Sequence, residues 1–425
     1  MVGDVIRGLG IEAARLRAAI KAYEYVAPRL SLLERLFLDR LWELIAKHVY
    51  PRWLAPNLIT LLGGMCVVLA ALLSTCYSPS LRGEAPSWVY GANALLLLCY
   101  QTLDGSDGKQ ARRTRTGSPL GELFDHGVDA WAVGLITMFT VDAFAYGIES
   151  PWPWLILLGA QICFFFSNMT LLHMGCMRVN TLDVIELQTA MYAALLITAV
   201  CGPGVWATRL PLGLPAIVHD GLGFDWRVGV PIRDVLAVWI VFVMFCNAAA
   251  TTSAVGQHLA RQSASARRRR PPCAGPMPMA RQVAFLTAHV VLSLLSYRTA
   301  VRAVALHPTG QSTSPTERLL PLRLLLLLVT VGFAGDVAKL LAARVGHVPP
   351  PRISRCLGAT FAFCLGVRLW GDRPGLDLHL FLFAIVCATA VDALRFFVLV
   401  ASAVAEAVGL HPFRVRGAKH WYSLT

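Results

Sequence analysis

Four aspartates, Asp104, Asp107, Asp125 and Asp129, carry the chemistry this chain could do, within the stretch DGSDGKQARRTRTGSPLGELFDHGVD. If both ends of that stretch are helical, spacings of i, i+3 and i, i+4 put each pair on one helix face. Carboxylates gathered inside an otherwise apolar protein repel one another and are costly to desolvate unless a strong positive charge sits between them. An all-oxygen ligand set suits a hard divalent cation, Mg²⁺ or Mn²⁺, rather than zinc. Asp104, Asp107 and Asp125 are the first choices as ligands. His126, between the second pair, has a side chain that ordinarily titrates near neutrality and suits general-base work, although a lone histidine serves equally as a packing residue. Arg112 offers a bidentate fork for a phosphate and stays protonated. Lys109 and Arg113 are weaker candidates for that role, and Arg115 reads as a solvated charge. Gly105, Gly108 and Gly121 lack the side chains that would keep a nucleotide or diphosphate from close approach, although glycine is also ordinary at membrane helix contacts.

The elements that must position these groups are membrane helices. The chain has 425 residues, 56% hydrophobic and 15% charged, with mean hydropathy +0.58, too greasy for a soluble protein of this length. A span needs roughly 20 mostly apolar residues, and about ten candidates fall near 57–77, 88–106, 120–146, 153–175, 188–205, 231–256, 283–303, 319–342, 354–371 and 378–407. The fold class expected is therefore all-α: a polytopic integral membrane protein. No cleavable signal peptide is expected, since the first apolar segment starts roughly 50 residues in. The 11 cysteines are scattered without C-x-x-C spacing, which points to buried hydrophobes rather than disulfides or zinc.

The net charge of +13 is concentrated in connecting loops, above all 109–115 and Arg267–Arg270. This pattern fits retention of those loops on the cytoplasmic side and attraction to anionic head groups, not nucleic-acid binding. Ten spans with both termini cytoplasmic would put those loops on one side, together with Arg178, Arg344–Arg355, Arg414, Arg416 and Lys419. Upstream, residues 31–50 place Leu32, Leu33, Leu36, Phe37, Leu41, Leu44 and Ile45 on one stripe. Ser31 and Glu34 there have the spacing of a capping box. Such a helix is too polar to span. It either lies in the membrane interface or packs its apolar face inward. The 257–282 segment reads as a basic, Pro-rich linker. Asp336/Lys339 and Asp392/Arg395 are i, i+3 opposite-charge pairs in late spans, read as structural or functional.

The gapped pattern D-x-x-D-G-x-x-A-R-x8-G-x3-D-x3-D is matched at Asp104, Asp107, Gly108, Ala111, Arg112, Gly121, Asp125 and Asp129. It resembles the signature of the CDP-alcohol phosphotransferase family. The wording DGKQARR and GELFDHG is similar to that family's eukaryotic choline/ethanolamine branch, as are Tyr23, Tyr25, Ser31–Leu33 and Pro56–Gly63. The resemblance is strong over about 50–190 and thin beyond, ending in an LHPFRV segment like the branch's phenylalanine-arginine stretch. It implies two metal ions bridging a diphosphate and His126 as the base for the acceptor hydroxyl. Asp129 would be a ligand or, as in some members, a base. Asn57 would contact the CDP-alcohol, with Gly108, Arg112 and Gly121 beside it. Glu186, in LDVIELQ, would lie near the alcohol head group, or is a plain loop-end charge.

The activity so implied is transfer of phosphocholine or phosphoethanolamine from CDP-choline or CDP-ethanolamine to diacylglycerol in the endoplasmic reticulum membrane. The active site would face the cytoplasm, in a homodimer. A CDP-diacylglycerol-dependent synthase using inositol or serine would share the metal site, but usually lacks the histidine and has about six spans. A transporter or inactive scaffold would be expected to show inverted repeats or to have lost an aspartate. Neither is seen in the sequence. The expected organisation is a cytoplasmic segment (1–56), catalytic helices (57–205), further helices (206–408) and a cytoplasmic tail (409–425).

Overall fold

The computed structural model describes residues 30–177, 184–210, 229–266, 279–306, 315–346, 358–363, 365, 378–409 and 411–415. Tyr23, Tyr25, Arg178, Arg267–Arg270, Arg416 and Lys419 lie outside them. Among the described residues the fold is all-α apart from one short pairing, in which β1 (Arg209–Leu210) runs antiparallel to β2 (Val230–Pro231). A π-helical turn, Glu34–Leu38, leads into α1 (Asp39–His48). Among the described residues nine long helices follow: α2 (Pro56–Tyr77), α3 (Ser87–Thr114), α4 (Pro119–Ala143), α5 (Pro151–Met174), α6 (Val184–Cys201), α7 (Ile232–Ala266), α8 (Met279–Leu306), α9 (Pro315–Gly346) and α10 (Leu378–Val408).

Seven of these, α2 and α5–α10, are long and apolar enough to cross a membrane. This is an integral membrane protein. The second and third expected spans are the helices α3 and α4, whose composition is diluted by the charged motif they carry. The ninth, 354–371, is helical where described, at 358–363 and 365, and otherwise lies outside the described residues. The linker expected from 257 starts later, because α7 continues to Ala266 and α8 resumes at Met279.

Local sequence sets the starts of the site helices. Pro56, Pro119 and Pro151 stand in the first turns of α2, α4 and α5, where a missing N–H costs nothing. Ser118 caps α4, its hydroxyl accepting from the Gly121 N–H at 3.3 Å. α3 ends on Arg115 in the left-handed conformation (φ 56°), so the chain reverses sharply and α4 starts beside the end of α3. Both aspartate pairs are thus brought to one end of the bundle. α2 packs against both helices, with Gly63 against Tyr100 and Leu103 and Gly64 against Val128. α9 is the most enclosed of the apolar helices and packs on α4, α5 and α10; Gly134 of α4 admits Thr330 of α9. Small residues at such crossings let membrane helices approach closely. Leu61, Met65, Leu69 and Leu72 of α2, Phe242 and Phe245 of α7 and Leu380, Phe383 and Leu394 of α10 face outward, as lipid-facing side chains should.

The segment before α2 buries a different seam from its apolar stripe. Leu38, Trp42 and Ala46, at i, i+4 and i+8, pack inward, while Leu36, Phe37, Leu41 and Leu44 are exposed. That is the arrangement of an interfacial helix. Half of the capping box forms: the Ser31 N–H donates to Glu34 Oε2 at 2.7 Å, while Ser31 Oγ has no partner among the described residues.

Candidate active site

Asp104, Asp107 and Asp125 converge: each offers an oxygen within 4.8 Å of the others. The first two come from α3 and the third from α4, so the cluster depends on the Arg115–Ser118 reversal. Asp107 is buried and accepts a hydrogen bond from the Thr60 hydroxyl of α2. Asp104 Oδ1 is buried with no hydrogen-bond partner among the described residues. Three carboxylates held at this range, one with an orphaned buried oxygen, repel one another when ionised, and a cation between them would offset that repulsion. Hard oxygen donors fit a divalent ion of the Mg²⁺ type.

Asp129 adjoins this trio, next to Asp104 and Asp125, without being one of the three mutually converging carboxylates. It accepts from the Tyr100 hydroxyl at 2.6 Å, and its Oδ2 lies 3.9 Å from His126 Nδ1. That nitrogen is itself buried without a hydrogen-bond partner among the described residues.

The glycines divide in two. Among the described residues, a Cβ at Gly108 would meet only the Arg112 Nη1 atom, at 3.8 Å, and one at Gly121 only Asn57 Oδ1 and Ser118 Oγ, at 3.8 and 3.9 Å. Both positions border open space beside the carboxylates. At Gly105 a Cβ would stand 2.5 Å from ring carbons of Trp42, so this glycine admits an indole rather than a nucleotide.

The charged run after Asp107 divides likewise. Lys109 pairs with Asp39, and Arg113 donates to the carbonyls of Ala46 (2.6 Å) and Tyr50 (2.7 Å), closing the end of α1. Gln110 donates to the carbonyls of Pro51 and Leu54, both at 3.0 Å. Tyr50, its phenol pushed above its ordinary value by burial, shares a 2.7 Å hydrogen bond with Ser106. These side chains hold the interfacial helix to α3. Arg112 is exposed and makes no side-chain hydrogen bond or ion pair among the described residues, which leaves its fork free.

Asn57 is buried at the start of α2 and donates to the Pro412 carbonyl at 3.0 Å. Glu186, in the first turn of α6, accepts from the Leu33 N–H at 2.8 Å, tying the upstream segment to the bundle. Of the late charged pairs, Lys339 and Asp336 meet at 3.0 Å within α9.

Several contributors were not singled out from sequence. Tyr100 stands one turn before Asp104, so its i, i+4 relation to the aspartate was available. Thr60, Trp42 and the Glu122–Arg344 pair, 3.7 Å apart with Glu122 buried, act across helices and leave no local signal.

Comparison with known proteins agrees with the geometry. The sequence model of the family described as CDP-alcohol phosphatidyltransferase matches residues 53–343. Cholinephosphotransferase 1 of Xenopus laevis is 37% identical over 197 residues, 46% of this chain and 48% of that protein. Choline/ethanolaminephosphotransferase 2 of Arabidopsis thaliana is 37% identical over 211 residues, covering 49% and 52%. Cholinephosphotransferase 1 of Homo sapiens is 36% identical over 202 residues, covering 48% and 49%. The matches span about half the length of each of these relatives.

Proposed function

This chain belongs to the CDP-alcohol phosphatidyltransferase family, and from that membership we propose that it transfers phosphocholine or phosphoethanolamine from CDP-choline or CDP-ethanolamine to diacylglycerol. The names of its relatives support this choice of donor. The observation that carries the reading is the convergence of Asp104, Asp107 and Asp125 with His126 adjacent on the same helix.

Asp104, Asp107 and Asp125 would hold the divalent metal, Mg²⁺ or Mn²⁺, with Asp129 completing a second position. When bound, such ions neutralise the diphosphate and stabilise the departing CMP oxygen. Arg112 would grip a phosphate oxygen from the open side of Gly108, and Gly121 and Asn57 would border the nucleotide. Glu186, engaged with Leu33, would act on the head group only indirectly, through the segment it anchors.

The diacylglycerol hydroxyl would attack the phosphorus that bears the alcohol. A new O–P bond forms, the P–O bond to CMP breaks with its electron pair leaving on CMP, and the hydroxyl proton passes to His126. Asp129, 3.9 Å from the imidazole, is placed to steady the protonated ring. One substrate is too apolar for water and the other too charged for lipid. The reaction therefore belongs at the membrane surface, with the site facing the cytoplasm of an endoplasmic reticulum homodimer.

The test is turnover by purified protein with diacylglycerol, Mg²⁺ and labelled CDP-choline or CDP-ethanolamine, beside an Asp125→Ala control. Metal-dependent phospholipid and CMP, absent in the control, are expected. No product from either donor, with product from CDP-diacylglycerol and inositol or serine, would reassign the chain to the other branch of the family.

A further inference from the structure

We infer that the turn His411–Val415, beyond α10, forms the outer wall of the donor pocket and that Phe413 is a donor-positioning residue. The inference rests on the donor reading above. Two contacts bring the turn to the site. The Pro412 carbonyl accepts from Asn57 Nδ2 at 3.0 Å, and the Phe413 ring meets Phe124 edge-on, with centroids 5.6 Å apart at 84°. Phe124 immediately precedes Asp125, and its other side meets Phe397 at 5.4 Å and 74°. Phe397 in turn fills the space over Gly127, where a Cβ would stand 2.3 Å from its ring.

The metal-bearing turn of α4 is therefore flanked by an aromatic column whose outermost ring is Phe413. The bond to Pro412 occupies the Asn57 amide and leaves Oδ1 turned toward the open position beside Gly121. An asparagine held by its amide presents an acceptor in a fixed direction, which orients a donor group on a ligand better than a free rotor does.

The turn is itself built. The Phe413 N–H donates to His411 Nδ1 and the Arg414 N–H to the His411 carbonyl, both at 3.3 Å. Phe413 remains 41% exposed and Arg414 is exposed, so an aromatic face and a cation border the entrance to an acidic, metal-binding floor. That combination fits a base-bearing diphosphate: a ring for the base or its ribose and a guanidinium for a phosphate oxygen. Arg414 adds a cation from the wall to the free Arg112 of α3, whose neighbours Lys109 and Arg113 are engaged with α1.

The experiment uses the full chain in nanodiscs, measuring KM for CDP-choline and for diacylglycerol, kcat, and CMP affinity by calorimetry with Mg²⁺. Phe413→Ala should raise the donor KM and weaken CMP by about tenfold, the scale of one aromatic contact, with the acceptor KM unchanged. Phe413→Trp should restore both. Arg414→Glu, at an exposed position where folding is not at stake, should weaken CMP most at low salt. Donor KM and CMP affinity within twofold of wild type in both variants would overturn the inference, as would an effect confined to the acceptor KM. If the wild type binds CMP but turns over neither donor, the transfer reading fails while CMP binding still tests the wall. A wild type that does not bind CMP overturns both.

Discussion

The indole of Trp42 occupies the space that a side chain at Gly105 would need, with ring carbons 2.5 Å from the position of a Cβ there. Gly105 lies between the first two aspartates, so the upstream helix is seated against the turn of α3 that carries them. Gly105→Ala gains helix propensity but forces the indole or α3 to move, and overpacking of this kind costs about 1–3 kcal/mol. The variant should melt lower and turn over more slowly. Adding Trp42→Ala should recover part of the loss relative to Trp42→Ala alone, a coupling that a double-mutant cycle measures.

Thr60 donates to Asp107, one of the three converging carboxylates. Removing a partner that orients a ligand typically weakens metal binding by about 10–100-fold. Thr60→Val should therefore shift the Mg²⁺ dependence of turnover to higher concentration by at least the lower figure, while Thr60→Ser should not. An unchanged Mg²⁺ titration in Thr60→Val would separate Asp107 from metal binding.

Glu122 is buried in the first turn of α4, 3.7 Å from Arg344, whose Nη2 also donates to the Gly175 carbonyl at the end of α5 at 3.2 Å. One guanidinium thus joins the ends of α4, α5 and α9. Truncating one partner of a buried pair costs about 3–5 kcal/mol, whereas replacing both by apolar groups of similar size can be neutral. Arg344→Met should unfold at markedly lower SDS fraction, and Glu122→Leu with Arg344→Met should recover much of that difference.

Asp142, seventeen residues beyond Asp125 on α4 and about 25 Å away along the axis, accepts from Ser78 (2.5 Å), Ser74 (3.3 Å), Tyr90 (3.4 Å) and the Gly83 N–H (3.1 Å). It fastens the α2–α3 connection at the end of the bundle away from the site. Asp142→Asn replaces one acceptor oxygen by an amide donor facing a ring of donors and should cost about 1–3 kcal/mol of stability. Metal dependence and KM of the folded fraction should stay at wild-type values.

The helices and the aspartates were legible in sequence because both signals are local. Apolar runs of span length mark α2 and α5–α10, and the fixed gaps between Asp104 and Asp129 put the pairs on helix faces before any fold is known. Tertiary choices were not legible. The stripe Leu36, Phe37, Leu41 and Leu44 shows that the upstream helix is amphipathic, but not that Leu38, Trp42 and Ala46 form its buried seam. Lys109 and Arg113 are, like Arg112, cations in the same run that could meet a phosphate. Only the position of α1 engages them elsewhere. Asn57 was singled out, but its partner Pro412 is 355 residues away, a separation no spacing rule reaches.

His126 and Asp129 are separable by experiment because the structure gives them different partners. Among the described residues His126 Nδ1 has no hydrogen-bond partner, whereas Asp129 is fixed by the Tyr100 hydroxyl and adjoins the three converging carboxylates. If the imidazole takes the acceptor's proton, His126→Ala should lower kcat by about 10²–10⁴-fold and leave CMP affinity and Mg²⁺ dependence near wild type. Asp129→Asn should change the Mg²⁺ dependence if it completes a metal position, and chiefly kcat if it only steadies the ring. Tyr100→Phe, which removes the phenol and spares the carboxylate, should shift in the same direction as Asp129→Asn but less. A His126→Ala enzyme within tenfold of wild-type kcat would remove the histidine from proton transfer, leaving Asp129 as the remaining base beside the trio.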